Sequence, residues 1–171
     1  QGADEGVMVI AKTQTAGRGR LGRRWISPPG NLYFSILLKP QVRLEILSQL
    51  SLVAGLALAQ TIQSYIKSSS KVSGDVSLKW PNDILFNRQK IAGILIETDT
   101  DQCLIEGNAC YLGIGVNLEK APELTAYPAT CFKDFLDPIP QLEDFLKNYL
   151  ATFDELYQRW HTHGFKALKE N

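Results

Sequence analysis

The sequence predicts an α+β domain, a mixed and largely antiparallel sheet with helices packed on one face. Two observations carry that prediction. Apolar residues recur at helical spacing over residues 44–66 and again from Gln141 onward. The remaining apolar runs are short, rich in β-branched and aromatic residues, and bounded by glycine, proline and asparagine, as strands are. The order is therefore strands, helix, more strands, helix.

The chain has 171 residues, 44% of them apolar, enough for one domain over residues 1–171 with a sizeable core. Eighteen basic and eighteen acidic residues balance, so no overall basic field argues for nucleic acid as a partner. No apolar run approaches the roughly 18 residues of a membrane span. The three cysteines (Cys103, Cys110 and Cys131) lack metal-ligand spacing and read as reduced thiols of a cytoplasmic protein. The first residue is Gln1 rather than methionine, so further residues are expected upstream.

In chain order, residues 7–12 read as a short buried strand that delivers a glycine–arginine loop. Leu32–Leu38, between Asn31 and Pro40, is a second strand. Leu47, Leu50, Ala54, Leu58, Ile62 and Tyr65 recur at three and four, giving an amphipathic helix that closes at the serine-rich residues 68–71. Residues 76–80, 84–86, 90–97, 104–105 and 109–118 follow as strands of an antiparallel meander. Residues 121–140 read as proline-bearing loop. Leu142, Phe145, Leu146, Tyr149, Leu150, Phe153, Leu156, Tyr157 and Trp160 then mark a second helix whose stripe faces the core. His161 and His163 lie at its end with no cysteine or carboxylate at ligand spacing, and are expected to be solvated.

The chemistry concentrates in residues 14–25. Gly17, Gly19 and Gly22 alternate with Arg18, Arg20, Arg23 and Arg24, and Trp25 closes the run. Glycine permits positive φ and close approach of backbone to a ligand, and successive free N–H groups can form an anion-binding nest. Arginine adds planar forks matched to phosphate or carboxylate. Against a neutral background this is more than a basic surface loop; it reads as an anion clamp that orders over its ligand. The glycines satisfy G-x-G-x-x-G, but Pro28, Pro29 and Gly30 forbid the helix that dinucleotide binding requires, and no acidic residue follows at the needed spacing. A Walker loop fails for want of Gly-Lys-Ser/Thr.

A second cluster joins Lys79, Asn82 and Asp83 to Lys90 and Gly93 across a predicted hairpin. Lysine supplies a point charge for a phosphoryl oxygen, and Asp83 is a candidate Mg²⁺ contact beside substrate phosphates. The plainer account is a turn at residues 81–83 with edge-protecting lysines. No Ser/His/Asp or Cys/His arrangement competes with phosphate chemistry.

Residues 14–25, 79–83, 90–97 and 113–118 are, in order, four blocks that closely resemble the catalytic domain of the biotin protein ligases, biotin–[acetyl-CoA-carboxylase] ligases. The resemblance implies the class II biotin/lipoate ligase fold and a two-step reaction. ATP, as its Mg²⁺ complex, activates biotin to biotinyl-5′-AMP, and a lysine of the biotin carrier subunit of acetyl-CoA carboxylase then takes the biotin. It also implies that Gln14 binds the biotin ring, that Arg18 and Arg20 meet carboxylate and phosphate, and that Trp25 packs by the adenine. Lys90 would contact the reacting carboxyl and α-phosphate in both steps, so Lys90 and Arg20 are the catalytic candidates. Gly17, Gly19, Lys79, Asn82, Gly93, Gly113, Gly115 and Asn117 complete the expected binding set.

Relative to that family, a Ser/Thr-rich block upstream and a small β-barrel downstream are expected to be missing. Repressor activity is not expected, since these residues show no helix-turn-helix ahead of the domain, though a lost N-terminus would hide one. A homodimer is compatible with the resemblance. A lipoate–protein ligase, which shares the fold, and a non-catalytic biotin or adenylate sensor are the competing readings. The Gly-Arg-Gly-Arg loop followed by Trp25 favours biotin.

Overall fold

The computed structural model describes residues 3–98, 109–123 and 127–168. Its strands are β1 (Met8–Ala11), β2 (Leu32–Leu38), β3 (Val76–Lys79), β4 (Asp83–Phe86), β5 (Gln89–Thr98) and β6 (Cys110–Val116). The helices are α1 (Leu44–Leu47), α2 (Leu50–Ser68) and α3 (Leu142–His163). One sheet contains all six strands in the order β1-β2-β6-β5-β4-β3, and every strand pairing is antiparallel. The parallel element that would make the sheet mixed is a single isolated bridge, Lys90 to Ala129. The predicted meander is present as β3-β4-β5-β6; residues 104–105 lie outside the described residues.

Strand alternation divides the sheet into two faces. Leu32, Phe34, Ile36 and Leu38 share one face with Leu112, Ile114 and Val116 of β6 and Ala92 and Ile94 of β5. These residues, with α2 and α3, form the core. Helices thus cover this face, as expected. From α2 come Leu50, Val53, Ala54, Ala57, Leu58 and Ile62, all fully buried, and from α3 the predicted aromatic stripe. The other face carries Ser35, Gly113, Gly115, Gly93, Leu95 and Glu97, and among the described residues neither α2 nor α3 covers it.

Three local expectations need correction. The first strand is an edge strand rather than a buried one: with β2 as its sole neighbour, Val9 is 66% and Ile10 48% exposed. A continuous apolar run does not tell a central strand from an edge. The first helix is broken into α1 and α2, with Ser48 and Gln49 between them. The 24 residues Glu45–Ser68 are also long and apolar enough, by length and composition alone, to cross a membrane. Their apolar side chains are spent on the protein core instead. His161 and His163 belong to the last turn of α3 rather than to a tail, and both are exposed. Cys110 and Cys131 are buried and form no disulfide, and Cys103 lies outside the described residues.

Tyr149 of α3 is completely buried between Phe34 and Phe153, and its hydroxyl has no hydrogen-bond partner. Burial raises its pKa well above the usual phenol value, so the group stays neutral. An orphaned buried hydroxyl costs about 1–3 kcal/mol. Tyr149→Phe keeps the ring and removes the orphan, so it is expected to raise stability by about 1 kcal/mol in urea unfolding.

Candidate active site

The site lies on the helix-free face of the sheet, where residues 14–25 fold back over β5 and β6. The loop has its own hydrogen bonds. Gly19 N donates to the Arg23 carbonyl at 2.7 Å, Trp25 N to the Gly17 carbonyl at 2.9 Å, and Arg18 and Arg24 form a bridge. The hairpin turns at Leu21 and Gly22, both at positive φ, where glycine bears little of the steric cost that Leu21 meets. Gly17 is buried, and a Cβ there would lie 2.9 Å from both Gln14 Oε1 and Ser27 Oγ. Those two groups bond each other, Ser27 Oγ donating to Gln14 Oε1 at 2.8 Å. The loop exit is fixed by buried Tyr33, whose hydroxyl donates to the Pro28 carbonyl at 2.9 Å. Burial raises its pKa, against a smaller lowering by Asn31.

Trp25 lies on a floor of glycines. Gly93 and Gly115 are cross-strand partners, and a Cβ on Gly115 would stand 2.6 Å from the indole, one on Gly93 2.9 Å. Absent side chains here are what let a large ring lie against the strands. The indole Nε1 is buried without a partner. Gly115→Ala is therefore expected to lift the indole off its seat: Trp25 fluorescence should shift red, and ligand affinity should fall about tenfold, the scale of 1–3 kcal/mol for overpacking. A Cβ on Gly113 would meet only ordinary contacts, the Leu95 carbonyl at 3.5 Å and Ser35 Oγ at 3.6 Å.

Lys90 reaches this face through an irregularity. Ile84 pairs with Ala92, but Leu85 pairs with Lys90, so Ile91 is an extra residue in β5. Such a bulge reverses the alternation that follows. Lys90 and Gly93, three residues apart, thereby share the open face. The backbone groups released at the bulge are taken up elsewhere. Lys90 N donates to the Pro128 carbonyl, the Lys90 carbonyl accepts from Thr130 N, and the Ile91 carbonyl accepts from Asn117 N. The Lys90 ammonium sits 2.6 Å from Asp83 Oδ1 and 5.1 Å from the Trp25 ring centroid. Both partners of the ion pair are largely buried, at 24% and 19% exposure.

The structure therefore brings Trp25, Asp83, Lys90, Gly93 and Gly115 together, with Gly17 and Gln14 at the loop base. Arg18 binds Glu97 of β5 at 3.0 Å. Arg20 stands exposed at the hairpin tip with no side-chain partner. Lys79 pairs with Asp83 across the β3–β4 hairpin, and its ammonium lies over the Tyr127 ring, 3.5 Å from the centroid. Asn82 donates to the Ile94 carbonyl at 2.7 Å and pins the β3–β4 turn to β5. Asn117 is buried and donates to the Thr130 carbonyl at 3.0 Å, fastening the segment that crosses Lys90.

Three structural contributors escaped the sequence reading. Asn31 Oδ1 accepts from the backbone N–H groups of Leu118, Glu119 and Lys120, tying the exit of β6 to the start of β2. Ser27 and Glu97 hold the loop at its base and flank. For Glu97 a signal existed: it alternates with Gly93 and Leu95, so it must share their face.

Asp83 was a candidate Mg²⁺ contact, yet its carboxylate is committed to Lys90. Among the described residues no three His, Cys, Asp or Glu side chains gather at a metal-binding spacing. Asp83 alone would offer a Mg²⁺ ion one carboxylate, and in this structure Lys90 holds it.

Residues 1–117 match the model of the biotin/lipoate A/B protein ligase family. The chain is 34% identical over 175 residues to the bifunctional ligase/repressor BirA of Bacillus subtilis (strain 168), covering 98% of this chain and 50% of that protein. It is 34% identical over 166 residues to the biotin–[acetyl-CoA-carboxylase] ligase of Paracoccus denitrificans, covering 94% of this chain and 67% of that one. Among solved structures, the biotin protein ligase of Aquifex aeolicus in complex with biotin and ATP superposes with a TM-score of 0.81 at 32% identity, over 99% of this chain and 68% of its own. The chain thus spans about half the length of the BirA proteins it matches. A family model over residues 1–117, together with the shared fold, places this chain in the biotin/lipoate A/B protein ligase family.

Proposed function

We propose that this chain is the catalytic domain of an ATP-dependent biotin–protein ligase. The observation that carries the reading is the convergence of the glycine–arginine loop, the Gly93–Gly115 floor and the Lys90 ammonium on one open sheet face. A shallow floor framed by cations suits a flat acid joined to a nucleotide, and the relatives described above are biotin ligases.

In the first step a biotin carboxylate oxygen attacks the α-phosphorus of ATP. A P–O bond forms, pyrophosphate departs, and biotinyl-5′-AMP remains. Lys90 is placed to face the negative charge shared by the carboxylate and α-phosphate, and Arg20 and Arg18 to close over it from the loop. Fixed charges aimed at developing charge are the electrostatic mode of catalysis. Mg²⁺ would enter with the ATP phosphates and neutralise their charge; among the described residues no cluster of three His, Cys, Asp or Glu side chains offers it a site. In the second step the neutral amine of an acceptor lysine attacks the acyl carbon, the C–O bond to AMP breaks, and one proton is released with the amide. The acceptor we assign is the biotin carrier subunit of acetyl-CoA carboxylase. Between the steps the loop excludes water from the mixed anhydride. Use of ATP and the buried cysteines Cys110 and Cys131, neither in a disulfide, accord with a cytoplasmic location.

ATP–pyrophosphate exchange on this chain, run with biotin and separately with lipoate, tests the proposal. Exchange that depends on biotin is expected. Exchange with lipoate alone assigns the chain to lipoate activation, and silence with both removes adenylation from this chain.

A further inference from the structure

Arg18 and Trp25 flank the loop, and both are held by β5. Trp25 rests on Gly93, while Arg18 Nη2 meets both carboxylate oxygens of Glu97, at 3.0 and 3.3 Å. Residues 93, 95 and 97 alternate onto the same face, so the two anchor points lie about 13 Å apart along one strand. A guanidinium has five N–H donors in a planar fork. Glu97 occupies one amino group, so Nη1 and Nε are left for another anion.

We infer that Glu97 is a positioning residue: it tethers the glycine–arginine loop to the sheet without ligand and turns the remaining edge of Arg18 toward the substrate anion. The pair is exposed, at 71% and 44%, so it is weak. Weakness suits the role, because the loop must still open for substrate to enter and product to leave. An arginine with no partner would instead be hydrated and would sample many rotamers before meeting an anion. The tether stands on the geometry alone; its service to substrate binding rests on the ligase reading.

The test is limited trypsin digestion of the ligand-free chain, with cleavage after Arg20, Arg23 and Arg24 followed by mass spectrometry. Glu97→Gln is expected to speed nicking there about two- to fivefold, the range for loss of an exposed ion pair. Cleavage after Lys67 and Lys71, outside the loop, should not change, which separates loop release from general unfolding. Arg18→Gln removes the same pair from the other side, and the double variant should be nicked no faster than either single one. This readout needs no catalytic activity, so it survives failure of the ligase reading. Where exchange activity is present, Glu97→Gln should raise the KM for biotin two- to fivefold with kcat nearly unchanged. Unaltered nicking in the loop, or additive effects in the double variant, overturns the tether. An unaltered KM in an active protein overturns the positioning role.

Discussion

Lys90→Ala is expected to reduce biotin-dependent ATP–pyrophosphate exchange by about 100- to 1000-fold, the loss seen when one preorganised electrostatic contact is removed from a transition state. The size follows from where the ammonium sits. It is largely withdrawn from water, pinned between Asp83 and the face of Trp25, and bound to the sheet through the backbone bonds at the Ile91 bulge. A charge held so needs little reorganisation when negative charge builds beside it. The substitution also leaves Asp83 as an unpaired, largely buried carboxylate, which destabilises the fold in its own right. Lys90→Ala combined with Asp83→Asn removes both charges and separates the two effects. The double variant should melt near wild type and remain inactive. Activity recovered in the double variant would show that Lys90 serves only to neutralise Asp83.

Arg20→Ala is expected to lower the same exchange by about 10- to 100-fold while leaving unfolding unchanged within about 0.5 kcal/mol. In the ligand-free structure the side chain is exposed and bonded to nothing, so deleting it removes no native contact. Any loss must come from a contact made after substrate enters. This separates Arg20 from Lys90, which is already in place, and from Arg18, which is held by Glu97. A stability loss of more than 1 kcal/mol, or unchanged exchange, would count against the role assigned to the loop tip.

Much of the site could be read before any fold was known, and what remained hidden has a common cause. The loop at residues 14–25 announced itself through residue types that have few other uses together. The strand glycines stood out as places of close approach, and at Gly93 and Gly115 what approaches is the Trp25 ring. For Lys79 and Asn82, also expected in the binding set, the sequence did not give the partners: one lies over the Tyr127 ring and the other bonds the Ile94 carbonyl. The Lys90 ammonium that Asp83 meets depends likewise on a cross-strand register that no local pattern encodes.

The sequence by itself determined the two helices and their buried stripes, the positions of the strands, and the chemistry of the loop, because each is a property of neighbouring residues: a period, a propensity, or a backbone that only glycine tolerates easily. Only the tertiary structure decided that β1 would be an exposed edge, that Glu97 would meet Arg18 across 79 positions, and that Lys90 would share a face with Gly93. Strict alternation puts residues 90 and 93 on opposite faces of a strand. One extra residue at Ile91 reverses that outcome, and whether a strand bulges is set by its pairing with its neighbours, here β4 on one side and the bonds from residues 117, 128 and 130 on the other.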